Sequence, residues 1–296
     1  DLYRDNKTIL IGEGSNLLFV KDFDGLAISI DIMGIKQGQS EGDDVILEVG
    51  AGEKWHDLVS FGVDNNYYGM ENLALIPGKV GSAAVQNIGA YGAEQKDFCI
   101  SVQGFDLETG EIKTLSTYEC EFSYRNSIFK NSLREKFIVT LVSYKVSCTE
   151  KYNLSYKALD QEIDKSHDLR MVFDTVCRVR KSKLPDYNEI GNAGSFFKNP
   201  IIKKDLYDKI YSKNPEIQAY DTSGEKIKIS AAKLIELAGW KGKRRGNAGV
   251  YKEHSLILCN YGKASGQEIY DLSEEIIASV KNKFEVELER EVIVVG

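Results

Sequence analysis

Residues 76–92 read IPGKVGSAAVQNIGAYG and are the most unusual stretch of the chain. The stretch follows neither helical nor strand periodicity, is rich in glycine and alanine, and carries one charged side chain, Lys79. Small side chains bury little apolar area, so this is a poor core segment. A surface loop of this length would usually carry more charge. We therefore predict that the backbone of residues 76–92 lies against a large, flat ligand.

A second glycine-rich segment, Gly12-Glu-Gly-Ser-Asn16, separates two predicted strands at residues 8–12 and 17–20. Its Gly-x-Gly spacing is similar to a dinucleotide-binding fingerprint. However, the third position is Leu17, and a strand follows where that motif opens a helix. A hairpin-like turn explains the glycines but not the Gly-Ser-Asn run. Backbone amides beside small hydroxyl and amide side chains suit a phosphate or pyrophosphate, so we predict such a contact here.

The rest of the pattern predicts a mixed α+β chain with a domain boundary near residues 183–188. Helical spacing and capping signals indicate helices, and alternation indicates strands. The predicted helices lie after Gly52 through Val63 and at residues 160–180, 231–238 and 265–284. The predicted strands lie at residues 45–49, within 99–147 and at 285–295, and residues 191–195 are predicted to form a glycine-rich turn.

Composition excludes several classes of protein. The chain has 296 residues, a formal net charge of −7 and 42% hydrophobic residues, which is typical of a globular chain with a sizeable core. Apolar runs are only strand-length and no leader is visible, so we expect a soluble, cytoplasmic protein. The acidic balance argues against nucleic acid as the main partner. Five scattered cysteines and three histidines form no zinc pattern, so we expect reduced thiols and no metal.

Three residues are candidates for chemistry, each with a simpler alternative. Arg125 lies in YRNSIFK and either covers a tyrosine at the surface, which physics alone favours, or holds a carboxylate or enolate. Ser195 lies in GNAGSFFKNP without a His/Asp partner or a nucleophile elbow, so it is a turn residue or a proton donor. Glu291 shares one parity with three other glutamates, a pattern that favours a solvated strand face.

Six blocks together resemble the UDP-N-acetylenolpyruvoylglucosamine reductases of bacterial cell-wall synthesis, the MurB family, in its longer form. They are ILIGEGSNLLF (9–19), GMENLALIPGKVGSAAVQNIGAYGAE (69–94), YRNSIFK (124–130), KLPD (183–186), GNAGSFFKNP (191–200) and FEVELEREV (284–292). The resemblance covers essentially the whole chain. It implies an FAD-binding domain of the vanillyl-alcohol-oxidase (PCMH) type at residues 1–184, without the family's N-terminal segment. It also implies a smaller α+β substrate-binding domain at residues 185–296 with a catalytic C-terminal strand.

The same resemblance implies the ligand contacts. FAD would contact Gly12, Glu13, Gly14, Ser15, Asn16, Leu18, Ile76, Pro77, Gly78, Gly81, Ser82, Gln86, Asn87, Ile88, Gly89, Ala90, Tyr91, Gly92 and Arg180. The substrate, UDP-N-acetylglucosamine-enolpyruvate, would contact Lys183, Asn199, Tyr220, Lys241 and Tyr156, the last on a loop that closes over it. NADPH would be the co-substrate. A monomer that binds neither nucleic acid, membrane nor metal is expected.

The implied reaction converts the enolpyruvyl group to the lactyl ether of UDP-N-acetylmuramate. NADPH would reduce FAD, which would pass a hydride to the terminal carbon of the enol ether. Arg125 and Glu291 would stabilise the resulting enolate, and Ser195 would protonate its carbon. Two alternatives stay open: an oxidase built on the same flavin fold, which would consume oxygen, and a colourless protein that only binds a UDP-sugar.

Overall fold

The structure is a computed structural model that describes residues 6–154, 156, 159, 162–163, 167–217, 219–221 and 224–296. Its strands are β1 (Thr8–Ile11), β2 (Leu17–Phe19), β3 (Leu26–Ser29), β4 (Ile35–Glu41), β5 (Asp44–Gly50), β6 (Gly89–Ala90), β7 (Ala93–Glu94), β8 (Cys99–Asp106), β9 (Glu111–Ser116), β10 (Phe137–Ser147), β11 (Gly191–Ser195), β12 (Ile201–Lys203), β13 (Ala219–Asp221), β14 (Lys226–Ile229), β15 (Arg244–Arg245), β16 (Ala248–Val250), β17 (Ile257–Asn260) and β18 (Ile293–Val295). Its α-helices are α1 (Trp55–Asp64), α2 (Val80–Gln86), α3 (Leu169–Lys183), α4 (Lys204–Tyr211), α5 (Ala231–Leu237) and α6 (Gly266–Phe284). Short 3-10 turns lie at Glu71–Leu73, Gln95–Asp97 and Ile128–Lys130.

The chain divides into two compact units. The first comprises Asp1–Gly14 and Asp24–Ser182, and the second comprises Ser15–Phe23 and Lys183–Gly296. The predicted division kept residues 1–184 together, so the placement of Ser15–Phe23 with the second unit differs from it.

An antiparallel sheet in the order β4-β5-β10-β8-β9 forms the frame of the first unit. The long central strand β10 pairs with β5 on one side and with β8 on the other. Alternation along β5 places Val45, Leu47 and Val49 in the core. The antiparallel strands predicted within residues 99–147 are therefore confirmed.

Helix α1 closes the core of this unit. It buries Trp55, Leu58, Val59 and Val63, the apolar stripe expected at helical spacing, and the predicted helix after Gly52 is confirmed. The helix predicted at residues 160–180 instead begins at Leu169 and continues to Lys183. Residues 160–161 and 164–166 of that prediction lie outside the described residues.

The stretch at residues 76–92 contains a short helix that its composition did not indicate. Helix α2 buries Val80, Ala83 and Ala84 in the core, so the prediction of a poor core segment was wrong for the middle of the stretch. Alanine buries little area but has the highest helix propensity, and its small volume permits close packing. The helix ends at Asn87, whose φ of 47° is left-handed.

The two strands predicted on either side of residues 12–16 are confirmed, but they do not pair with each other as the hairpin-like alternative requires. Strand β1 pairs in parallel with β3, whereas β2 pairs in parallel with β18, at the far end of the sequence. A parallel pair cannot be closed by a tight turn, so the two partners are distant along the chain.

Two antiparallel sheets, in the orders β11-β17-β16-β15 and β12-β14-β13, organise the second unit. Helix α6 begins at the predicted capping box, in which Ser265 and Glu268 exchange hydrogen bonds, and it buries an apolar stripe that ends at Phe284. Helix α5 begins after Ser230, whose hydroxyl accepts a hydrogen bond from the Lys233 N–H at 3.2 Å. Both predicted helices are confirmed. Within the described ranges, no helix is long and apolar enough to cross a membrane.

Candidate active site

The first unit joins the two glycine-rich segments. The Gly78 N–H donates a hydrogen bond to Glu13 Oε2 at 2.7 Å. A Cβ on residue 12 would lie 2.9 Å from Ser82 Oγ, so any larger residue there would force Ser82 or the backbone to shift. Gly12, Glu13, Gly78 and Ser82, all predicted to contact FAD, therefore form one continuous cradle of backbone and small side chains.

A left-handed turn at Asn87 follows this cradle and is held by its side chain. The buried Asn87 amide donates hydrogen bonds to the Ser123 carbonyl oxygen at 2.8 Å and to Glu94 Oε2 at 3.1 Å. The bond to Ser123 attaches the turn to the segment that carries Arg125.

Arg125 lies against the glycine-rich stretch. Its Nη2 donates a hydrogen bond to the Gly89 carbonyl oxygen at 2.5 Å, and its φ of 54° is unusual for a residue with a side chain. The guanidinium also lies 5.2 Å from the centre of the Tyr124 ring. The contact with the Tyr124 ring is the one expected of a surface arginine. The hydrogen bond to Gly89 places the positive charge of Arg125 beside the segment predicted to contact FAD.

A buried guanidinium lies beside the same stretch. The Nε of Arg180, on α3, is buried and has no hydrogen-bond partner among the described residues, and the Nη2 of the same side chain donates to the Leu75 carbonyl oxygen at 3.4 Å. Burial lowers the pKa of Arg180, and burial raises the pKa of Tyr91, while the positive charge of Arg180 acts against that rise. An unsatisfied cationic donor next to a glycine cradle fits an anionic ligand such as the pyrophosphate of FAD.

In the second unit, Ser195 is the last residue of strand β11, whereas residues 191–195 were predicted to form a turn. Strand β11 pairs with β17, and its register shifts between Asn192 and Ser195. Gly194 supplies the left-handed residue that this bulge needs, with a φ of 69°. The prediction of a glycine turn at residues 191–195 was therefore wrong, because the bulge uses the same residues that a turn would use. Bulges are frequent beside active sites because they re-aim a side chain.

The predicted strand at residues 285–295 is regular only at β18. Its preceding residues still alternate, since Val286, Leu288 and Val292 are buried. Three of the four glutamates in this segment form surface ion pairs: Glu285 with Lys209, Glu287 with Lys281, and Glu289 with Lys198. These three match the solvated face that the pattern favoured.

Glu291 differs from the other three glutamates. It is half-buried, its N–H donates to the Phe196 carbonyl oxygen at 2.9 Å, and its own carbonyl oxygen accepts from Asn16 Nδ2 at 3.1 Å. Next to this contact, the main chains of Arg290 and Phe197 form an isolated antiparallel β-bridge. The structure thus brings Glu291 to Phe196, the residue that follows Ser195, although the two positions differ by 95 in the sequence.

The remaining predicted residues lie in more ordinary settings. Asn199 Oδ1 accepts the Ala231 N–H at the start of α5, and Lys241 forms an ion pair with Glu236 at 3.1 Å. Tyr220 is 43% exposed on β13, and Lys183 is exposed at the end of α3. In the first unit, the Tyr156 ring meets the Tyr91 ring edge-on, with centroids 5.2 Å apart.

Sequence reasoning missed two residues that organise the first unit. The Lys130 ammonium donates to Gln86 Oε1 and to the Arg125 carbonyl oxygen, and the Asn72 amide donates to two backbone carbonyls. Both lie inside the family blocks, but neither has a pattern that distinguishes a buried polar hub from a surface residue.

Two family models match separate parts of the chain, and curated relatives match nearly all of it. Residues 185–295 match the family described as "UDP-N-acetylenolpyruvoylglucosamine reductase, C-terminal domain", and residues 3–116 match "FAD binding domain". The UDP-N-acetylenolpyruvoylglucosamine reductase of Flavobacterium johnsoniae is 46% identical over 99% of this chain and 88% of its own length. That of Shewanella sp. (strain MR-7) is 44% identical over 100% of this chain and 86% of its own length.

The chain belongs to the UDP-N-acetylenolpyruvoylglucosamine reductase family. A crystal structure of such a reductase (MurB) from Thermus caldophilus covers 99% of this chain and 87% of that one, with a TM-score of 0.64 and 23% identity. It supports the fold. The predicted family, the α+β class with an FAD-binding domain, and the FAD-dependent oxidoreductase activity of MurB type are confirmed.

Proposed function

We propose that this chain reduces the enolpyruvyl group of UDP-N-acetylglucosamine-enolpyruvate to the lactyl ether of UDP-N-acetylmuramate, a step in peptidoglycan precursor synthesis. NADPH is the electron donor. One observation within the second unit carries the proposal. The Glu291 N–H donates a hydrogen bond to the carbonyl oxygen of Phe196, the residue after Ser195, so two predicted catalytic residues lie on neighbouring segments. The arginine that such a reaction needs lies against the glycine cradle of the first unit.

The first unit holds FAD in this proposal. Gly12 packs closely against Ser82 in the cradle, and the Nε of Arg180, which has no partner within the described part of the chain, supplies a charged donor. The other FAD contacts proposed in the first unit are Glu13, Gly14, Ile76, Pro77, Gly78, Gly81, Gln86, Asn87, Ile88, Gly89, Ala90, Tyr91 and Gly92. Ser15, Asn16 and Leu18, which are also predicted to contact FAD, belong to the second unit. Bound FAD supplies the hydride chemistry that no amino-acid side chain provides.

Arg125 stabilises negative charge on the substrate. Addition of a hydride to the terminal carbon of the enol ether leaves an enolate on the adjacent carbon and carboxylate. A guanidinium presents paired N–H donors that match a carboxylate or an enolate. Because Arg125 is fixed by the Gly89 carbonyl and by its own left-handed backbone, little reorganisation is needed when the charge develops.

Ser195 delivers the proton to the enolate carbon, and Glu291 polarises the developing enolate through a hydrogen bond. Serine is a weak acid, but an enolate carbon is a strong base, so position matters more than acidity. The bulge at Gly194 sets the direction of the Ser195 side chain. The hydrogen bonds that the Glu291 main chain makes with Phe196 and Asn16 fix the backbone that carries the carboxyl group.

Tyr156, Lys183, Asn199, Tyr220 and Lys241 bind the UDP-sugar in this proposal. Tyr156 closes over the substrate, and the two lysines provide positive charge for its diphosphate. We also propose that the chain works as a monomer in the cytoplasm on small-molecule substrates, without nucleic acid, membrane or metal.

The test is an anaerobic visible spectrum of the purified, FAD-loaded chain. NADPH should bleach the flavin absorbance, and subsequent UDP-N-acetylglucosamine-enolpyruvate should restore it. Bleaching without recovery would retain the flavoenzyme and reject this substrate. Oxygen consumption in place of NADPH oxidation would support an oxidase. A chain that stays colourless with added FAD but binds the UDP-sugar would support a binding protein.

A further inference from the structure

Asn72 is a buried amide that links two segments of the first unit. It lies in the 3-10 turn Glu71–Leu73 and is 1% exposed. Its Nδ2 donates hydrogen bonds to the Tyr91 carbonyl oxygen at 2.9 Å and to the Asn153 carbonyl oxygen at 2.7 Å. Both amide protons are therefore used on main-chain oxygens, so the side chain acts as a clamp between these two positions.

A second amide reinforces the clamp. Asn153 Nδ2 donates a hydrogen bond to the Gly92 carbonyl oxygen at 3.0 Å. Tyr91 between these contacts has a left-handed φ of 48°, a strained conformation that persists only when neighbours impose it. The three hydrogen bonds fix the Tyr91–Gly92 turn against residue 153.

The clamp leads directly to Tyr156. The Tyr156 ring meets the Tyr91 ring edge-on, at 5.2 Å between centroids and 87° between planes. Residue 153, one of the two clamped positions, precedes Tyr156 by three residues. The position of Tyr156 is thus defined by its contact with the Tyr91 ring and by the clamped backbone just before it.

Asn72 uses only the hydrogen-bond donors of its side-chain amide. Its Oδ1 has no hydrogen-bond partner among the described residues, so the buried oxygen contributes nothing that offsets its desolvation. A residue retained only for core packing at this position would be apolar. What an apolar side chain of the same size cannot supply is the pair of N–H donors.

We propose that Asn72 is a positioning residue that holds Tyr156 ready for the UDP-sugar substrate. The inference rests on the proposed function, in which Tyr156 contacts that substrate. Loss of the two N–H donors should release the Asn153 segment and the Tyr91 turn. Tyr91 and Gly92 are also proposed FAD contacts, so the comparison is made with FAD at saturation. Under that condition the cost should appear in substrate binding and not in the reaction of the flavin with NADPH.

The experiment is a double-mutant cycle on the FAD-loaded chain. Calorimetry measures the Kd of UDP-N-acetylglucosamine-enolpyruvate for the wild type, Asn72→Leu, Tyr156→Phe and the double variant. We expect about tenfold weaker binding for Asn72→Leu, and no further weakening when Tyr156→Phe is already present. The rate of bleaching by NADPH should stay within about twofold. Asn65→Leu, which removes an exposed amide bonded to the Phe61 carbonyl, is the matched control.

Two results would overturn the inference: an unchanged Kd in a folded Asn72→Leu, or full additivity in the double variant. If Asn72→Leu does not fold, Asn153→Ala replaces it, since it removes only the bond to Gly92 and should weaken binding several-fold in the same way. Failure of the proposed function is distinct, because the wild type would then bind no enol ether. Amide hydrogen exchange would still decide the positioning role, through faster exchange at residues 151–154 in Asn72→Leu with α1 unchanged.

Discussion

The Lys130 ammonium donates a hydrogen bond to the Arg125 carbonyl oxygen at 3.0 Å, and a second one to Gln86 Oε1 at the same distance. One cation therefore ties the backbone of the proposed charge-stabilising residue to the glycine-rich stretch. Arg125 has a left-handed φ of 54°, so its conformation depends on such external contacts.

Substitution of Lys130 by Met should misplace Arg125. Because Arg125 acts on the enolate, we expect recovery of flavin absorbance by the enol ether to slow about tenfold, while bleaching by NADPH is unchanged. Stopped-flow absorbance of the two half-reactions measures this. Lys130→Arg should restore part of the rate. Equal slowing of both half-reactions would contradict a role directed at Arg125.

Removal of the Ser195 hydroxyl should block proton delivery alone. For Ser195→Ala we expect flavin recovery by the enol ether to slow by about 100-fold or more, with NADPH-driven bleaching intact. Ser212→Ala, which removes an exposed hydroxyl bonded to the Lys209 carbonyl, is the control. The proton-donor role is rejected if Ser195→Ala loses both half-reactions in parallel.

The four glutamates before β18 allow a matched comparison. Glu291→Gln should slow enol ether reduction by about 100-fold, because an amide polarises the enolate less than the carboxyl group. Glu287→Gln removes only an exposed ion pair with Lys281 and should leave turnover unchanged. Steady-state rates at saturating NADPH measure both variants. If Glu291→Gln turns over at the wild-type rate, Glu291 has no catalytic role and is a solvent-facing glutamate like Glu287.

Gly12→Ala should disturb the cofactor cradle. The added Cβ would lie 2.9 Å from Ser82 Oγ, and such overpacking costs about 1–3 kcal/mol. We expect FAD affinity to fall about tenfold or more, as measured by fluorescence quenching during FAD titration. The double variant Gly12→Ala/Ser82→Ala should recover part of the loss. Normal affinity in Gly12→Ala would show that the close approach is unimportant for the cofactor.

The Glu71 carboxyl group should make stability depend on pH. Burial raises the pKa of Glu71 above its ordinary value of 4.5, even though the Gly69 N–H donates to its Oε2 at 2.7 Å. The native state therefore binds the proton more tightly than the unfolded state. The free energy of unfolding should fall as pH rises above 4.5 and level off once the folded group has ionised.

Glu71→Gln keeps an acceptor for Gly69 and removes the ionisation, so its melting temperature should vary less with pH. Thermal unfolding from about pH 4.5 to about pH 8 tests this, with Glu111→Gln on the exposed face of β9 as control. Parallel curves for wild type and Glu71→Gln would contradict the expected titration.

Local signals in the sequence were reliable where one element determines its own structure. The capping box at Ser265 and the stripe ending at Phe284 predicted α6 closely, because caps and helical spacing act within a few residues. Alternation likewise predicted which side chains before β18 are buried. That the two glycine-rich segments contact a ligand stays a prediction, and helix α2 shows that composition alone misjudged the middle of residues 76–92.

What the sequence did not show depends on distant partners. The pairing of β2 with β18 joins residues that lie about 275 positions apart, and periodicity carries no record of such a pairing. The strand character of residues 191–195 comes from β17, and the half-burial of Glu291 comes from Phe196 and Asn16. The role of Asn72 could not be predicted either, because its hydrogen bonds to the Tyr91 and Asn153 carbonyl oxygens join segments that are distant in the sequence.

The assignment of Ser15–Phe23 to the second unit has a consequence for how the chain can be divided. A fragment that starts at Lys183 would lack β2, so β18 would lose its parallel partner and present unpaired main-chain groups along that edge. The C-terminal region is therefore not an independent module that can be excised or exchanged between relatives as one contiguous piece. Its strand β18 is completed by residues that lie about 275 positions earlier in the sequence, so the second unit cannot be completed from one contiguous segment.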